Sequence, residues 1–398
     1  MKTTTNSGDI QLTQDQKQAK TLFEKWWKTD KQVFVLNGLA GTGKTSIART
    51  LAEGRNSVFA AYTGKAASVL RSKGIESVGT LHSLIYIPKT LCAKRLQELE
   101  QEYERHPTDE LAFRIKQERI NLSSPKFCLN LEPEGILDKD LIVIDECSMV
   151  DNFIGNDLLS FGKRVLALGD PGQLPPINGT PFFNKADYEL TEIIRQKNDI
   201  VNLAASIRRT GQVLDSGNNF NVLDKSEMGD LKGYDTVIVW RNETRRAWNL
   251  KFKGHDEVLK VGDRLCCLTN SVSYGIMNGT VWDVLEVRGE SSVFNLELGP
   301  KTVIWAKVSD GFTKKLVPIL KDVLTGKVKS EEAGYLRAKE TKTQSPDWLL
   351  FDYGWCLTCH KAQGSEWDKV AVVVPNNPSR EWLYTAVTRA KEQVDLYI

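Results

Sequence analysis

Short apolar runs recur along this chain with longer stretches of helical periodicity between them. Val33-Phe34-Val35-Leu36, Val58-Phe59-Ala60-Ala61-Tyr62, Leu141-Ile142-Val143-Ile144 and Arg164-Val165-Leu166-Ala167-Leu168 have the length and turn-bounded setting of buried strands. The same pattern returns in Thr236-Val237-Ile238-Val239-Trp240, Trp355-Cys356-Leu357 and Val370-Ala371-Val372-Val373-Val374. Residues 11–28 read as an amphipathic helix whose apolar members are Leu12, Phe23, Trp26 and Trp27, and Thr13 followed by Gln16 has the form of a capping box. Residues 46–52 read as a further helix. Alternation of short strands and helices predicts an α/β fold with parallel sheets covered on both faces. Two stretches break the alternation. Residues 91–122 are highly charged with a Pro107-Thr108-Asp109 break, which predicts a projecting helical hairpin. Residues 261–305 carry short strands with turns at Asn278-Gly279 and Gly299-Pro300, which predicts a small antiparallel barrel inserted into a second domain. The polar segment 211–233 marks the domain junction, and 310–344 is charged and irregular.

Composition narrows the partners. The 398 residues suffice for two or more domains, and a net charge of only +2 means that any nucleic-acid surface is a local patch. Ten Trp leave aromatic faces for bases or for core. No apolar run approaches the ~20 residues of a membrane span, and Met1 to Ile10 shows no secretory signal. Seven Cys, an odd number, fit reduced thiols in a cytoplasmic setting. Cys356-Leu357-Thr358-Cys359-His360 matches the c-type haem pattern, but that attachment requires export. A zinc site requires a second pair, and Cys92, Cys128, Cys147, Cys266 and Cys267 supply only an adjacent one. Two ordinary thiols on a buried strand are the expectation.

The chemistry concentrates in Gly38-Leu39-Ala40-Gly41-Thr42-Gly43-Lys44-Thr45, a G-x-x-x-x-G-K-[ST] loop between a strand and a helix. In such a loop the backbone N–H groups from Gly38 through Ala40, Gly41, Thr42 and Gly43 close on phosphate oxygens at a helix N-terminus. Lys44 reaches the terminal phosphates of ATP and Thr45 ligates Mg²⁺. Asp145-Glu146 ends the most apolar strand, where Asp145 would hold Mg²⁺ and Glu146 would orient and deprotonate the attacking water.

These elements occur in order with Ala61-Tyr62-Thr63-Gly64-Lys65-Ala66-Ala67, Thr80-Leu81-His82-Ser83, Gly169-Asp170-Pro171-Gly172-Gln173-Leu174-Pro175-Pro176, Leu190-Thr191-Glu192-Ile193-Ile194-Arg195, Thr358-Cys359-His360-Lys361-Ala362-Gln363-Gly364-Ser365-Glu366 and Tyr384-Thr385-Ala386-Val387-Thr388-Arg389-Ala390. From about residue 12 to residue 390 the chain resembles the superfamily 1 helicases of the 5′→3′ group, and it is similar to the phage Dda helicase and the RecD-type helicases. The resemblance implies two RecA-like parallel-sheet domains with ATP between them. It implies that Gln16 reads the adenine edge, that Gln173 senses the γ-phosphate, that Arg195 and Arg389 stabilise the transferred phosphoryl group, and that Glu366 contacts the ribose. Arg389 would join the site when the domains close. The same resemblance gives the single strand to Thr63, Lys65, Thr80, His82 and Ser83 in the first domain and to Asn242, Thr358, His360, Lys361 and Gln363 in the second. Trp240, Arg245 and Trp248 lie near Asn242; an aromatic there could stack on a base, and core packing is the equal alternative for Trp240.

The expected division is 1–83 with 127–198 for the first domain, 84–126 for its inserted hairpin, 199–261 with 351–398 for the second domain and 262–350 for its inserted barrel. The hairpin is the expected strand-separating pin, with Tyr86 and Phe127 flanking it. The implied partners are single-stranded DNA and duplex junctions, with replication or recombination proteins beside them and no membrane, for a monomer in a bacterial or phage-infected cytoplasm. An RNA motor of the same superfamily and a non-catalytic strand-binding module are the competing readings.

Overall fold

The computed structural model describes residues 12–75, 78–123, 128–176, 179–194, 199–254, 258–271, 273–295, 299–328 and 348–398. The chain forms two compact units, Met1–Ala60 with Glu134–Lys197, and Ala61–Pro133 with Asn198–Ile398. Among the described residues no helix is long and apolar enough to cross a membrane.

In the first unit the helix Gln14–Trp27 starts where the sequence signals it. Thr13 is extended (φ −67°, ψ 169°), and the reciprocal capping box with Gln16 is made. The helix buries Phe23 and Trp26, which meet Phe34 with ring centroids 5.6 Å away in each case. The Arg55 guanidinium lies 4.6 Å from the Trp27 ring and that of Arg164 lies 4.9 Å from it, so the aromatic end is closed by cations whose stems pack on the rings. The sheet of this unit runs Ser57–Ala61, Leu141–Asp145, Arg164–Gly169, Val33–Gly38, Tyr188–Leu190 in spatial order. Its pairings are parallel: Ile144 lies opposite Ala167, Asn37 opposite Gly169 and Gly38 opposite Leu190. The carboxyl ends of four strands therefore reach one edge, the edge at which open parallel sheets bind ligands.

The second unit holds a sheet in the order Cys356–Thr358, Thr236–Val239, Trp367–Val373, Ala390–Tyr397, Phe220–Leu223, Ser216–Gly217, parallel except for the last pair. The helix Asn242–Lys253 is tied beside it through Asn249, whose amide donates to Tyr353 O (2.8 Å) and Cys356 O (3.0 Å) and accepts from Cys356 N (2.8 Å). Two buried ion pairs fix the same helix: Arg245 to Asp352 (2.8 Å) and Lys253 to Asp263 (2.7 Å). The helices Lys89–Arg105 and Asp109–Ser123 pack through Leu96, Leu99, Leu111 and Ile115. At their base Tyr86–Ile87 pairs antiparallel with Cys128–Leu129. Asn121 closes this base by accepting from Leu129 N (2.6 Å) and donating to Leu129 O (2.7 Å). Tyr86 is buried with its ring 5.8 Å from that of His82, a packing position, and Phe127 lies outside the described residues.

The expected barrel is an open sheet. Five antiparallel strands run Lys314–Leu320, Gly299–Ser309, Val281–Asn295, Arg264–Cys267, Phe351–Tyr353, and among the described residues the first strand meets the segment before the last only at the isolated bridge between Ile319 and Leu349. Closure requires a ladder between the first and last strands. The ladder hydrogen bonds are instead concentrated in the long hairpin of Val281–Asn295 with Gly299–Ser309, whose register shifts at Val284/Glu286 and Val287/Gly289 bend it.

Asp263 is 1% exposed, and it also accepts from Lys260 N (2.8 Å). Asp263→Asn should leave the Lys253 ammonium buried without its counter-ion and cost the second unit about 3–5 kcal/mol in chemical denaturation. Replacing both partners together with apolar residues should recover most of that loss, and an equal loss in the double variant would refute this account.

Candidate nucleotide and nucleic-acid site

The strand Val33–Gly38 turns directly into the glycine loop, and the helix Lys44–Ala52 starts from Gly43. Gly43 is left-handed (φ 77°, ψ 25°), and a Cβ there would stand 2.8 Å from Gln16 Nε2, so only glycine fits. The loop is held through its carbonyls. Leu39 O accepts from Thr42 Oγ1 (2.9 Å) and Lys44 Nζ (2.9 Å), and Gly38 O accepts from Lys44 Nζ (2.7 Å). Gly41 O accepts from Ile194 N (3.0 Å) and Thr42 O from Gln16 Nε2 (3.2 Å). Gln16 is 3% exposed, and its Oε1 accepts from Thr13 N (3.3 Å). Both ends of that amide are thus engaged in the helix cap and the loop.

Thr45 Oγ1 donates to Asp145 Oδ2 (3.0 Å), bringing the loop and the end of Leu141–Asp145 into direct contact. Asp145 Oδ1 accepts from Glu146 N (3.0 Å). Glu146 has φ 57° and ψ 45°, the one non-glycine with positive φ among the described residues. Such a conformation costs about 1–3 kcal/mol and clusters at functional sites. One strand along, Asp170 accepts from Gly172 N (3.0 Å) and its carbonyl from Gln173 N (3.0 Å), which sets the turn bearing Gln173. Gln173 is 5% exposed and its Oε1 is buried with no hydrogen-bond partner among the described residues. A buried orphan acceptor of this kind is satisfied by a polar ligand or its water. The paired oxygens of Thr45 and Asp145 fit a hard divalent cation such as Mg²⁺. Burial beside Asp145 and Glu146 pushes the Cys147 thiol well above its usual range, so it is inert packing. Arg195 lies outside the described residues.

The remaining predicted positions lie in the second unit. Thr63 caps the helix Gly64–Ser72 by accepting from Ala66 N (3.1 Å). Burial draws the Lys65 ammonium below the usual lysine pKa, against the opposing charge of Asp310. Thr80 and Ser83 form a reciprocal capping box on Leu81–Ile85, and Thr80 is 5% exposed while Ser83 is exposed. The His82 ring meets that of Tyr62 at 5.5 Å. Val239 lies opposite Thr358, so Asn242 and the short helix Cys359–Ala362, with His360 and Lys361, follow neighbouring strand ends. Burial lowers the His360 pKa. Asn242 and Glu366 are exposed, whereas Gln363 is 1% exposed. Cys356 and Cys359 are both 0% exposed, and burial pushes the Cys359 thiol up to about 12. Arg389 is 3% exposed and binds within its own unit. It donates from Nε to Thr385 O (2.9 Å), from Nη1 to Ser365 O (3.2 Å) and from Nη2 to Thr388 Oγ1 (3.0 Å).

Residues 11–228, more than half of the chain, match the AAA domain family. The chain belongs to that family. Residues 353–397 further match the UvrD-like helicase C-terminal domain. Over 410 residues the chain is 25% identical to the ATP-dependent RecD2 DNA helicase of Deinococcus radiodurans, covering 91% of this chain and 46% of that protein. It is 27% identical over 217 residues to the ATP-dependent DNA helicase dda of Enterobacteria phage T4, covering 50% and 42%. The expected likeness to Dda and RecD-type proteins is borne out, while the chain spans about half the length of these relatives. The fold is shared with a Pif1 helicase from Bacteroides solved with ADP-AlF3 and ssDNA (TM-score 0.57, 19% identity, 98% of this chain and 92% of that one). It is shared also with a structure of two coordinating Pif1 helicases at forked dsDNA (TM-score 0.61, 20% identity, 98% and 92%).

Within the first unit the sequence reading missed Asp15. Its carboxylate accepts from the Tyr188 hydroxyl (2.5 Å), Thr191 N (2.7 Å) and Glu192 N (3.0 Å), clamping the strand-and-turn that leads to Arg195. The one local signal was an acid in the first turn of a capped helix, which dipole preference explains equally well. Burial pushes the Asp15 pKa up, but Tyr188 and the two amides outweigh it and hold the carboxyl below its usual range; the Tyr188 phenol is in turn pushed up to about 12. A depressed carboxyl stabilises the fold above its ordinary pKa and loses that effect as pH falls through the folded value. Asp15→Ala should therefore cost about 1 kcal/mol at neutral pH, and the gap to the native chain should close in acid. A gap that stays constant with pH would show that the carboxylate charge is not what matters.

Proposed function

We propose that this chain is an ATP-dependent DNA helicase that translocates 5′→3′ on single-stranded DNA and unwinds duplex at junctions. The observation that carries the reading is the hydrogen bond between Thr45 of the phosphate loop and Asp145 at the end of Leu141–Asp145, one strand removed from the strand that feeds the loop, with strained Glu146 next to it. A loop of this form binds a nucleoside triphosphate, and the carboxylate pair beside it suits hydrolysis. The names of the RecD2 and dda relatives support DNA as the track.

In this reading Lys44 leaves the Gly38 and Leu39 carbonyls for the terminal phosphates. Thr45 and Asp145 hold Mg²⁺, which when bound neutralises charge on the phosphate oxygens. Glu146 orients the attacking water and accepts its proton. Gln173, whose buried Oε1 has no hydrogen-bond partner among the described residues, senses the γ-phosphate. Arg195 and Arg389 stabilise the transferred phosphoryl group, for which Arg389 exchanges its bonds to Thr385, Ser365 and Thr388. Gln16 reads the adenine edge, for which its amide exchanges its bonds to Thr42 O and Thr13 N. Glu366 contacts the ribose. The single strand runs over Thr63, Lys65, Thr80, His82, Ser83, Asn242, Thr358, His360, Lys361 and Gln363, and residues 84–126 form the pin.

Lys44→Ala should abolish strand-stimulated ATP hydrolysis and unwinding while leaving single-strand affinity within about threefold, since strand affinity comes from backbone contacts elsewhere. Retained hydrolysis would overturn the phosphate-loop assignment. Arg389→Ala should lower the kcat of hydrolysis by about 10³-fold with KM little changed. Duplexes with a 5′ overhang should be unwound and those with a 3′ overhang left intact. Stimulation by RNA alone would move the substrate to RNA, and stimulation by neither strand would leave a binding module.

A further inference from the structure

Trp240 follows the buried strand Thr236–Val239, yet its side chain is 44% exposed. Burying an indole of this size stabilises a fold by about 1.5–3 kcal/mol, so leaving it open forgoes much of that gain. Its ring is stacked on that of Trp382, with centroids 6.2 Å apart and planes 28° apart, and Trp382 is 2% exposed. Trp382 is itself pinned, because its carbonyl accepts from the Cys359 thiol (3.5 Å). Trp240 thus stands on a rigid aromatic base.

Its neighbours give the ligand class. Val239 is in register with Thr358, so Trp240-Arg241-Asn242 and Cys359-His360-Lys361 leave adjacent strands at the same carboxyl edge. Arg241 and Asn242 are exposed and His360 and Lys361 are half-buried, so basic and amide side chains share this edge with the open indole. Ligands of parallel sheets bind at this edge. An aromatic platform on an edge that also carries phosphate-seeking donors is the arrangement that holds single-stranded nucleic acid without reading its sequence.

We propose that Trp240 is a stacking platform for one base of the bound single strand, backed by Trp382, while the surrounding donors hold the flanking phosphates. The inference rests on the helicase reading and adds to it the residue that grips a base. Because every base has a π-face, the platform tolerates all sequences, and translocation requires that tolerance.

The test uses the full chain and a fluorescein-labelled oligo-dT, with binding measured by anisotropy in the absence of nucleotide. Trp240→Ala should weaken binding about 5- to 100-fold, and Trp240→Phe should restore most of it. Trp240→Leu keeps apolar bulk over Trp382 but has no π-face, so it should bind as weakly as the Ala variant. An oligonucleotide of abasic sites should bind native chain and Trp240→Ala alike, which a merely structural role of the indole would not produce. If the native chain binds oligo-dT and all three variants match it, the stacking platform is wrong and the helicase reading stands. If the variants lose the same factor on the abasic strand, Trp240 supports the fold rather than a base. If the native chain binds neither strand, the helicase reading fails and this inference with it.

Discussion

A loop that offers its amides to phosphate has to be held by its carbonyls, and that constraint organises the first unit. Gly38, Leu39, Gly41 and Thr42 each have a carbonyl engaged by a donor from outside the loop backbone: Lys44 Nζ, the Thr42 hydroxyl, Ile194 N or Gln16 Nε2. The donors come from three separate stretches of chain. The helix Gln14–Trp27 and the segment after the strand Tyr188–Leu190 are therefore more than sheet cover, because Gln16 and Ile194 hold the phosphate loop from them. Asp15 completes the arrangement by fixing the strand end and the N-terminal helix to one another, and the direction of its pKa reflects how far its three donors prevail over burial.

Parallel topology then determines where chemistry can occur. Strands that share a direction deliver their carboxyl ends to one edge, so Thr45, Asp145, Glu146 and Gln173 converge although they are spread over more than a hundred residues. The strain at Glu146 fits this logic, since the carboxylate is aimed by a backbone conformation that the sheet edge has to over-determine. The second unit repeats the scheme with a different anchor. Arg245, Asn249 and Lys253 lock the helix Asn242–Lys253 through buried bonds to Asp352, Tyr353, Cys356 and Asp263. Rigid support of that helix holds its first turn, where Asn242 sits, at the strand edge.

Legibility in the sequence followed the range of the interaction. Thr13 and Gln16 announced a helix start because a capping box closes within four residues, and the box is made. The glycine loop was legible for the same reason. The antiparallel strands of the expected barrel were legible and its closure was not, because short strands and tight turns specify hairpins, while closure depends on whether distant edges pair, and among the described residues they meet at one bridge. Thr63, Thr80 and Ser83 were assigned to a nucleic-acid path by motif, and in the fold their hydroxyls cap helices. Arg389 was placed by motif as well; its burial and its three bonds inside its own unit involve Ser365, twenty-four residues away, which spacing does not reveal.

The sequence by itself determined the kinds of element, the phosphate loop and the acids that end its partner strand, since these are set by glycine conformations, periodicity and spacing within a few residues. Tertiary structure alone decided that Gln16 holds the loop, that Asp15 clamps a strand end, that Arg389 is tied into its own unit and that Trp240 keeps an open face on Trp382. Each of those outcomes turns on which distant groups compete for one donor, one acceptor or one patch of apolar surface, and that competition is settled only when the whole chain is packed.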